Sequence, residues 1–405
     1  MAEETQLTLP GAEEEFVREA FRRFYERVDS SAISPPQPER REFGLGSWVK
    51  KIESRHVSFQ NAQELKSYLI RNTPFYISYS TAYYEFPDRR PMPKKDWLGA
   101  DLVFDLDADH LALKCLESGE HEKGWVCEEC LRAVKDETIK LVEEFLIPDF
   151  GFSPEEVHVN FSGNRGYHVH VRSEEVRPLT GWARREIADY ISGNGLNRAA
   201  LFDEREVPGF PGIKRLEGPR LDAPGWHGRV ARRFIQLLEA GKLADTGIPS
   251  ALARRLAKHA GEVVEGVKRG NWDTVRMTGP EKEALADKVI ASAGIDVEGF
   301  GGAGGEVDAG VTFDVSKLIR LPGSLHGETG LCAKKLASVS DLSAFDPMRD
   351  AVVFGDEPVR VKCGRVPRFA VRGVDYGPFE GNELELPECA AIYLLCKRKA
   401  RLWRS

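Results

Sequence analysis

The run Asp101-Leu-Val-Phe-Asp105-Leu-Asp107-Ala-Asp109 concentrates more chemistry than any other segment of this chain. In an extended strand successive side chains alternate faces, so Asp101, Asp105, Asp107 and Asp109 share one face and Leu102, Phe104 and Leu106 take the other. The apolar face can dock on a core. The opposite row of carboxylates is electrostatically costly unless cations sit between them. Asp105 and Asp107 would lie ~7 Å apart at Cα, a spacing at which two carboxylates converge on one or two divalent ions. The same pattern also fits an edge strand whose acids face water. It fits two phosphate chemistries as well: hydrolysis with an aspartate nucleophile, or nucleotidyl transfer with a metal-binding pair. The hydrolase reading expects its motif near the start of the chain and a small hydroxyl residue soon after the second aspartate. Here a hundred residues precede the motif, and Ala108 and Asp109 follow it.

Directly downstream stands Cys115-x5-His121-x5-Cys127-x2-Cys130. Three thiolates and an imidazole complete a tetrahedral shell for Zn²⁺ and leave no open position, so such a site is structural. Further on, Val157–Phe161 leads into the turn Ser162-Gly163-Asn164-Arg165-Gly166, and Tyr167–Arg172 leads out. Backbone amides, a hydroxyl, an Arg fork and His168 on the exit strand make a cradle for anions, although a Ser-Gly turn alone also serves as a plain hairpin. His168 and His170 share a face of that strand. A third region, Val311-Thr-Phe-Asp314-Val-Ser-Lys317-Leu-Ile-Arg320-Leu-Pro322-Gly-Ser324-Leu-His326-Gly327, supplies a carboxylate on an expected strand at 311–315, and a loop presenting Arg320, Ser324 and His326. Three carboxylates, two histidines, two arginines and glycine turns are together the parts for two-metal nucleotidyl transfer.

These groups need a scaffold, and the chain is long enough to supply one. At 405 residues, 41% hydrophobic and 30% charged, it has the profile of a soluble globular protein of two or three modules. No apolar run approaches the ~20 residues of a membrane span, and the acidic start MAEETQLTLPGAEEEF lacks an apolar core segment, so a cytoplasmic, reducing location is expected. The net charge of −7 excludes a simple electrostatic DNA binder, so any polyanion must be met by a local basic patch or by metal ions. Helices are expected over 13–28 and 128–147, and strands over 75–80, 101–107, 157–161 and 167–172. Ala/Arg/Leu/Glu-rich segments such as 229–243 and 250–268 mark a mostly helical insertion. The glycine-rich stretch 299–310 then returns to α/β structure. Cys332, Cys363, Cys389 and Cys396 read as ordinary core or surface thiols. The basic end from Cys396-Lys397-Arg398-Lys399 onward reads as a helix end or a partner-binding tail.

Taken in order, Phe104-Asp105-Leu-Asp107, the Cys/His knuckle, Ser162-Gly163-x-Arg165-Gly166-x-His168, and Asp314 ahead of Leu318-Ile-Arg320-x-Pro322-x-Ser324-Leu-His326-Gly327 resemble the catalytic small subunit of archaeal/eukaryotic-type DNA primases. The resemblance spans residues 100–330 and suggests an archaeal source. It implies an α/β fold in which a mixed central sheet is flanked by helices, with a zinc knuckle at 115–130. The change of composition along the chain divides it into 1–177 (the first part of the core), 178–295 (the helical insertion) and 296–405 (the rest of the core). The implied activity is synthesis of short RNA or DNA primers on single-stranded DNA from nucleoside triphosphates.

Matched residue by residue, Asp105, Asp107 and Asp314 are the ligands of Mg²⁺ or Mn²⁺, with Asp308 as a competing choice for the third. Ser162, Gly163, Arg165, His168, Arg320 and His326 hold the nucleotide, and Arg40 and Arg41 are further candidate contacts. Asn164 stands where some relatives carry a second basic residue, which throws more of the phosphate binding onto Arg165. The implied partner is a larger iron–sulfur subunit, since this chain has too few suitably placed cysteines to hold such a cluster itself. Three rivals stand beside this reading: a primase-like repair polymerase that extends existing primers, expected to lack the knuckle; a phosphohydrolase using Asp105; and a non-catalytic zinc-containing subunit.

Overall fold

The computed structural model of the chain describes residues 11–403 except 112, 114, 116, 117, 120, 123, 208, 296–309 and 311. The described residues fall into two compact units, one drawn from 1–142, 152–185 and 301–405, the other from 143–151 and 186–300.

The first unit opens with an amphipathic helix, Gly11–Arg27, whose Val17, Ala20, Phe21 and Tyr25 repeat at helical spacing and are buried. It joins a core that also takes in the helix Glu388–Cys396. That helix is apolar all round, and every residue from Cys389 to Cys396 is buried. Cys332, Cys363, Cys389 and Cys396 are thereby core thiols. Against this core lies a four-stranded sheet in the order Leu318–Arg320, Tyr76–Ser80, Phe43–Gly46, Ser54–Val57. Helix Ala62–Asn72 accompanies it and is started by Asn61, whose side chain accepts from the Glu64 amide at 2.9 Å.

A second sheet carries the acidic run. Its three strands are Leu102–Asp107, Gly166–Val171 and Val157–Phe161, with Gly166–Val171 in the middle. Register pairs Asp105 with His168, and His168 with Asn160. The segment around Lys335 runs beside the outer strand: the Phe161 amide donates to Lys334 at 2.8 Å, and the Leu336 amide to Val159 at 3.0 Å. Helix Glu128–Lys140 packs against this sheet, burying Leu131, Val134 and Thr138, and continues as a π-helical turn, Leu141–Leu146.

Two sequence expectations change here. In place of one mixed central sheet there are several small sheets, and every strand pair among the described residues is antiparallel. Many strands run only three to six residues, and neighbours such as Val157–Phe161 and Gly166–Val171 are joined by tight turns, which build antiparallel pairs. The expected strand at 311–315 is a turn over its described residues, and regular pairing begins at Leu318. Asp314 explains this, because its Oδ1 accepts from the Ser316 amide at 2.9 Å and the Ser316 hydroxyl at 2.7 Å, a local bond that competes with strand pairing. Of the glycine-rich stretch 299–310, all but Gly310 lies outside the described residues, as does Asp308.

The second unit is mainly helical, with Gly225–Glu239, Ser250–Lys258, Ala260–Lys268 and Gly279–Ala293 as its chief elements. The expected helix over 250–268 is two helices that meet at His259. A hairpin, Asp203–Val207 with Phe210–Glu217, accompanies them.

Candidate active site

Asp105 and Asp107 alternate on the strand as the sequence requires, and both remain open, with side chains 39% and 28% exposed. Across the strand pair, His168 brings Nε2 to 3.5 Å from an Asp105 oxygen. Arg165 leaves the turn to place Nη2 3.4 Å from Asp107 and Nη1 2.5 Å from Asp109. Asp101 has a different fate. It is buried, held by Arg41 at 2.9 Å, by the Tyr83 hydroxyl at 2.8 Å and by Arg172 at 3.4 Å.

That cluster corrects one sequence expectation. Arg41 is fully buried and also donates to the Ser80 and Thr81 carbonyls, so it is a structural cation and cannot meet a nucleotide; Arg40 is paired with Glu85.

The glycine turn is built for close approach. Gly163 has φ +85°, and a Cβ there would stand 3.0 Å from the His326 Cβ. A Cβ on Gly166 would come within 2.0 Å of the Leu106 carbonyl oxygen. Ser162 closes the turn itself: its Oγ accepts from the Asn164 amide at 3.3 Å and the Gly166 amide at 3.2 Å. The Gly163 carbonyl accepts from the Thr329 hydroxyl at 2.5 Å, which ties the turn to the loop that carries His326.

Arg320, on Leu318–Arg320, lies over the Tyr76 ring at 5.1 Å. Burial, then the positive charge of Arg320, holds His168 down to about 3; Asp107 pulls the other way. Burial, followed by the charges of Arg320, Lys51, Lys397 and Arg165, depresses His326 as well. Both histidines are thus neutral at physiological pH. His326 Nδ1 accepts from the Glu328 amide at 3.1 Å, which assigns its proton to Nε2. Ser324, expected to face the site, is buried and donates to the Leu321 carbonyl at 2.7 Å, capping the loop.

Asp314 is tied into the same neighbourhood. Thr312 donates to the Val103 carbonyl on the aspartate strand at 2.7 Å, and Arg55 holds the Ser316 carbonyl at 2.8 Å. Asp314 does not, however, join Asp105 and Asp107 in one tight cluster. Among the described residues, the only three or more candidate ligands whose atoms come within 4.8 Å of one another are Cys115, His121, Cys127 and Cys130.

Those four fit zinc closely. Cys130 Sγ lies 3.5 Å from Cys115 Sγ, 3.6 Å from Cys127 Sγ and 3.5 Å from His121 Nε2. A tetrahedron with Zn–S of about 2.3 Å has edges of about 3.8 Å. Burial raises the Cys115 and Cys130 thiols, a cost that a bound cation would offset.

One residue the sequence left among the basic end belongs beside the site. Lys397, just past helix Glu388–Cys396, donates to the Gly124 carbonyl in the knuckle at 2.8 Å and to Asn164 Oδ1 in the glycine turn at 3.3 Å. Burial, partly countered by Glu328, brings its ammonium down to about 8. The signal for it was a cation directly after an apolar helix, where it complements the helix dipole. Glu328 is a further residue missed: it accepts from the Asn164 side chain at 3.2 Å and pairs with Lys51 at 3.2 Å.

Comparison with known proteins adds the family. The family model for the DNA primase small subunit matches residues 104–337. The DNA primase small subunit of Methanothrix thermoacetophila is 39% identical over 94% of this chain and 97% of its own length. That of Methanococcoides burtonii is 37% identical over 95% and 97%, and that of Archaeoglobus fulgidus 32% identical over 95% and 97%. Asp105 and Asp107, the knuckle, the glycine turn and the His326 loop all lie inside the matched span, and on these grounds the chain belongs to the DNA primase small-subunit family.

Proposed function

We propose that this chain catalyses template-directed synthesis of short RNA or DNA primers on single-stranded DNA from nucleoside triphosphates. The observation that carries the reading is the pairing of open carboxylates (Asp105, Asp107) with a neutral histidine and an Arg-bearing glycine turn, in a chain of this family. Mg²⁺ or Mn²⁺ held by Asp105 and Asp107, with Asp314 as a third carboxylate, would lower the pKa of a 3′-hydroxyl and offset charge on the α-phosphate. Zn²⁺ in the Cys115, His121, Cys127, Cys130 shell would be structural.

The protein's own groups handle the leaving side. The 3′-hydroxyl gives its proton to solvent as its oxygen bonds to the α-phosphorus, the bond from that phosphorus to the bridging oxygen breaks, and pyrophosphate departs. Arg165 and Arg320 neutralise its charge, and His168 and His326, neutral at working pH, donate hydrogen bonds without adding a charge that must be desolvated. Ser162 and Gly163 shape the turn that aims Arg165. In this partition 1–177 and 296–405 form the catalytic core, and 178–295 is an insertion that supplies none of these groups. A larger iron–sulfur subunit is the proposed partner and single-stranded DNA the template. Among the described residues no helix is long and apolar enough to cross a membrane, and a cytoplasmic location is proposed.

The test is synthesis on unprimed single-stranded DNA with labelled nucleoside triphosphates and Mn²⁺ or Mg²⁺. Short products made without a primer are expected. Extension of a supplied primer alone would favour the repair-polymerase reading. Phosphate release from small substrates without template would replace both with a hydrolase.

A further inference from the structure

The sheet that carries Asp105 has a second set of polar side chains on the same face. Register places Asp105, His168, Asn160 and Lys335 in one row across it, and Val103, His170 and His158 in the next. Three strand spacings put Lys335 about 14 Å from Asp105, far enough for both ends of the row to be occupied together.

At the outer end, His158, Asn160, Arg172 and Lys335 line a cavity of about 410 Å³, closed on one side by Ser34 and its neighbouring prolines. Among the described residues no carboxylate lines it. Asn160 is only 4% exposed, yet its amide nitrogen has no hydrogen-bond partner; His170, fully buried in the next row, has none at either ring nitrogen. Lys335 donates to the Ser34 carbonyl at 3.0 Å, and Arg172 reaches Asp101 at 3.4 Å. Burial and the Arg172 charge both hold Lys335 and His158 below their ordinary values, so an anion between them would relieve repulsion as well as satisfy the amide.

We propose that this cavity is a second phosphate-binding site, separate from the groups that face the triphosphate. Arg172 and Lys335 supply the charge, and Asn160 and His158 the directed donors. The phosphate belongs to a nucleic-acid backbone or to a free nucleotide. The backbone assignment rests on the proposed function, whereas the phosphate chemistry does not.

The test uses the full chain carrying Lys335→Glu, with Lys335→Gln beside it. Lys335 keeps exposed surface while its ammonium sits against Ser34 at the cavity wall, and melting reports whether either change disturbs the fold. The probes are a short labelled single-stranded oligonucleotide and ATP, each titrated over a range of salt, with thermal melting as the folding control. The Glu variant is expected to bind the oligonucleotide about tenfold more weakly, and the slope of log affinity against log salt is expected to fall by about 1. A loss confined to ATP would keep the phosphate site and assign it to a free nucleotide. Wild-type binding of both probes by a Glu variant that melts normally would overturn the proposal. If the Glu variant melts early, the Gln variant decides on the same two readings. Binding is the readout, so a negative result here leaves the synthesis assay to stand or fall by itself.

Discussion

Asp101 and Asp105 lie four residues apart on one run of chain, and their environments are opposite. Asp101 is buried against Arg41, Arg172 and the Tyr83 hydroxyl, its charge met by cations of the protein. Asp105 is open, with a neutral histidine at 3.5 Å. The first is a structural ion cluster. The second, with Asp107, keeps part of its carboxylate surface exposed beside His168 and Arg165. Residue type and spacing are the same in both cases; what separates them is the position of Arg41, sixty residues earlier in the chain.

The sharpest way to break this contrast is to remove each carboxylate in turn. Asp105→Ala or Asp107→Ala should lower primer synthesis by about a thousandfold or more while leaving the melting temperature within a degree or so. Asp101→Ala should do the reverse in kind. It leaves Arg41 buried without its partner and should cost about 3–5 kcal/mol of stability, read by urea unfolding. If Asp101→Ala proved as stable as wild type, the division between structural and chemical aspartates would fail.

The zinc knuckle sharpens the comparison from the metal side. A chelator, or Cys127→Ser, should lower the melting temperature by roughly 5 °C or more, on the order of 2 kcal/mol, with zinc released in stoichiometric amount. Chelation that leaves melting unchanged would remove the structural role.

Arg165→Ala should raise KM for the nucleotide about tenfold with a smaller change in kcat, since it takes away phosphate binding and not the reacting centre. A kcat loss with KM unchanged would place Arg165 at the chemistry instead.

The smallest effect is a pH dependence. Lys397, brought down to about 8 by burial, loses its charge as pH rises through that value, so nucleotide KM should climb about two- to threefold between pH 7 and 9. Lys397→Met should flatten that rise. The sign for stability is opposite. With the folded value below the ordinary 10.5, the unfolded chain holds more protons between the two, and the stability cost of burying Lys397 shrinks as pH rises from about 8 to 10.5.

Much of the site was legible because its chemistry is local. Alternation along 101–109 placed Asp105 and Asp107 on one face, the Cys/His spacing foretold a shell whose atoms do converge, and the glycines of 162–166 signalled the turn between the two strands. Contacts distant in sequence were not legible. That Asp101 is neutralised by Arg41, that Ser324 turns inward, and that Lys397 reaches both the knuckle and the glycine turn depend on packing between segments tens to hundreds of residues apart. The strand expected at Asp314 failed for a local reason that the residue type did carry, since an aspartate that bonds its own backbone two residues on favours a turn. The single mixed sheet failed because helix and strand signals give elements and leave their pairing open.

The most direct measurement compares wild type with Asp105→Ala, both with normal melting curves, for synthesis on unprimed single-stranded DNA in Mn²⁺ or Mg²⁺. Short products from the wild type and none from the variant are the predicted result. A variant that keeps more than a few per cent of wild-type synthesis would contradict the assignment of the open carboxylates to the chemistry.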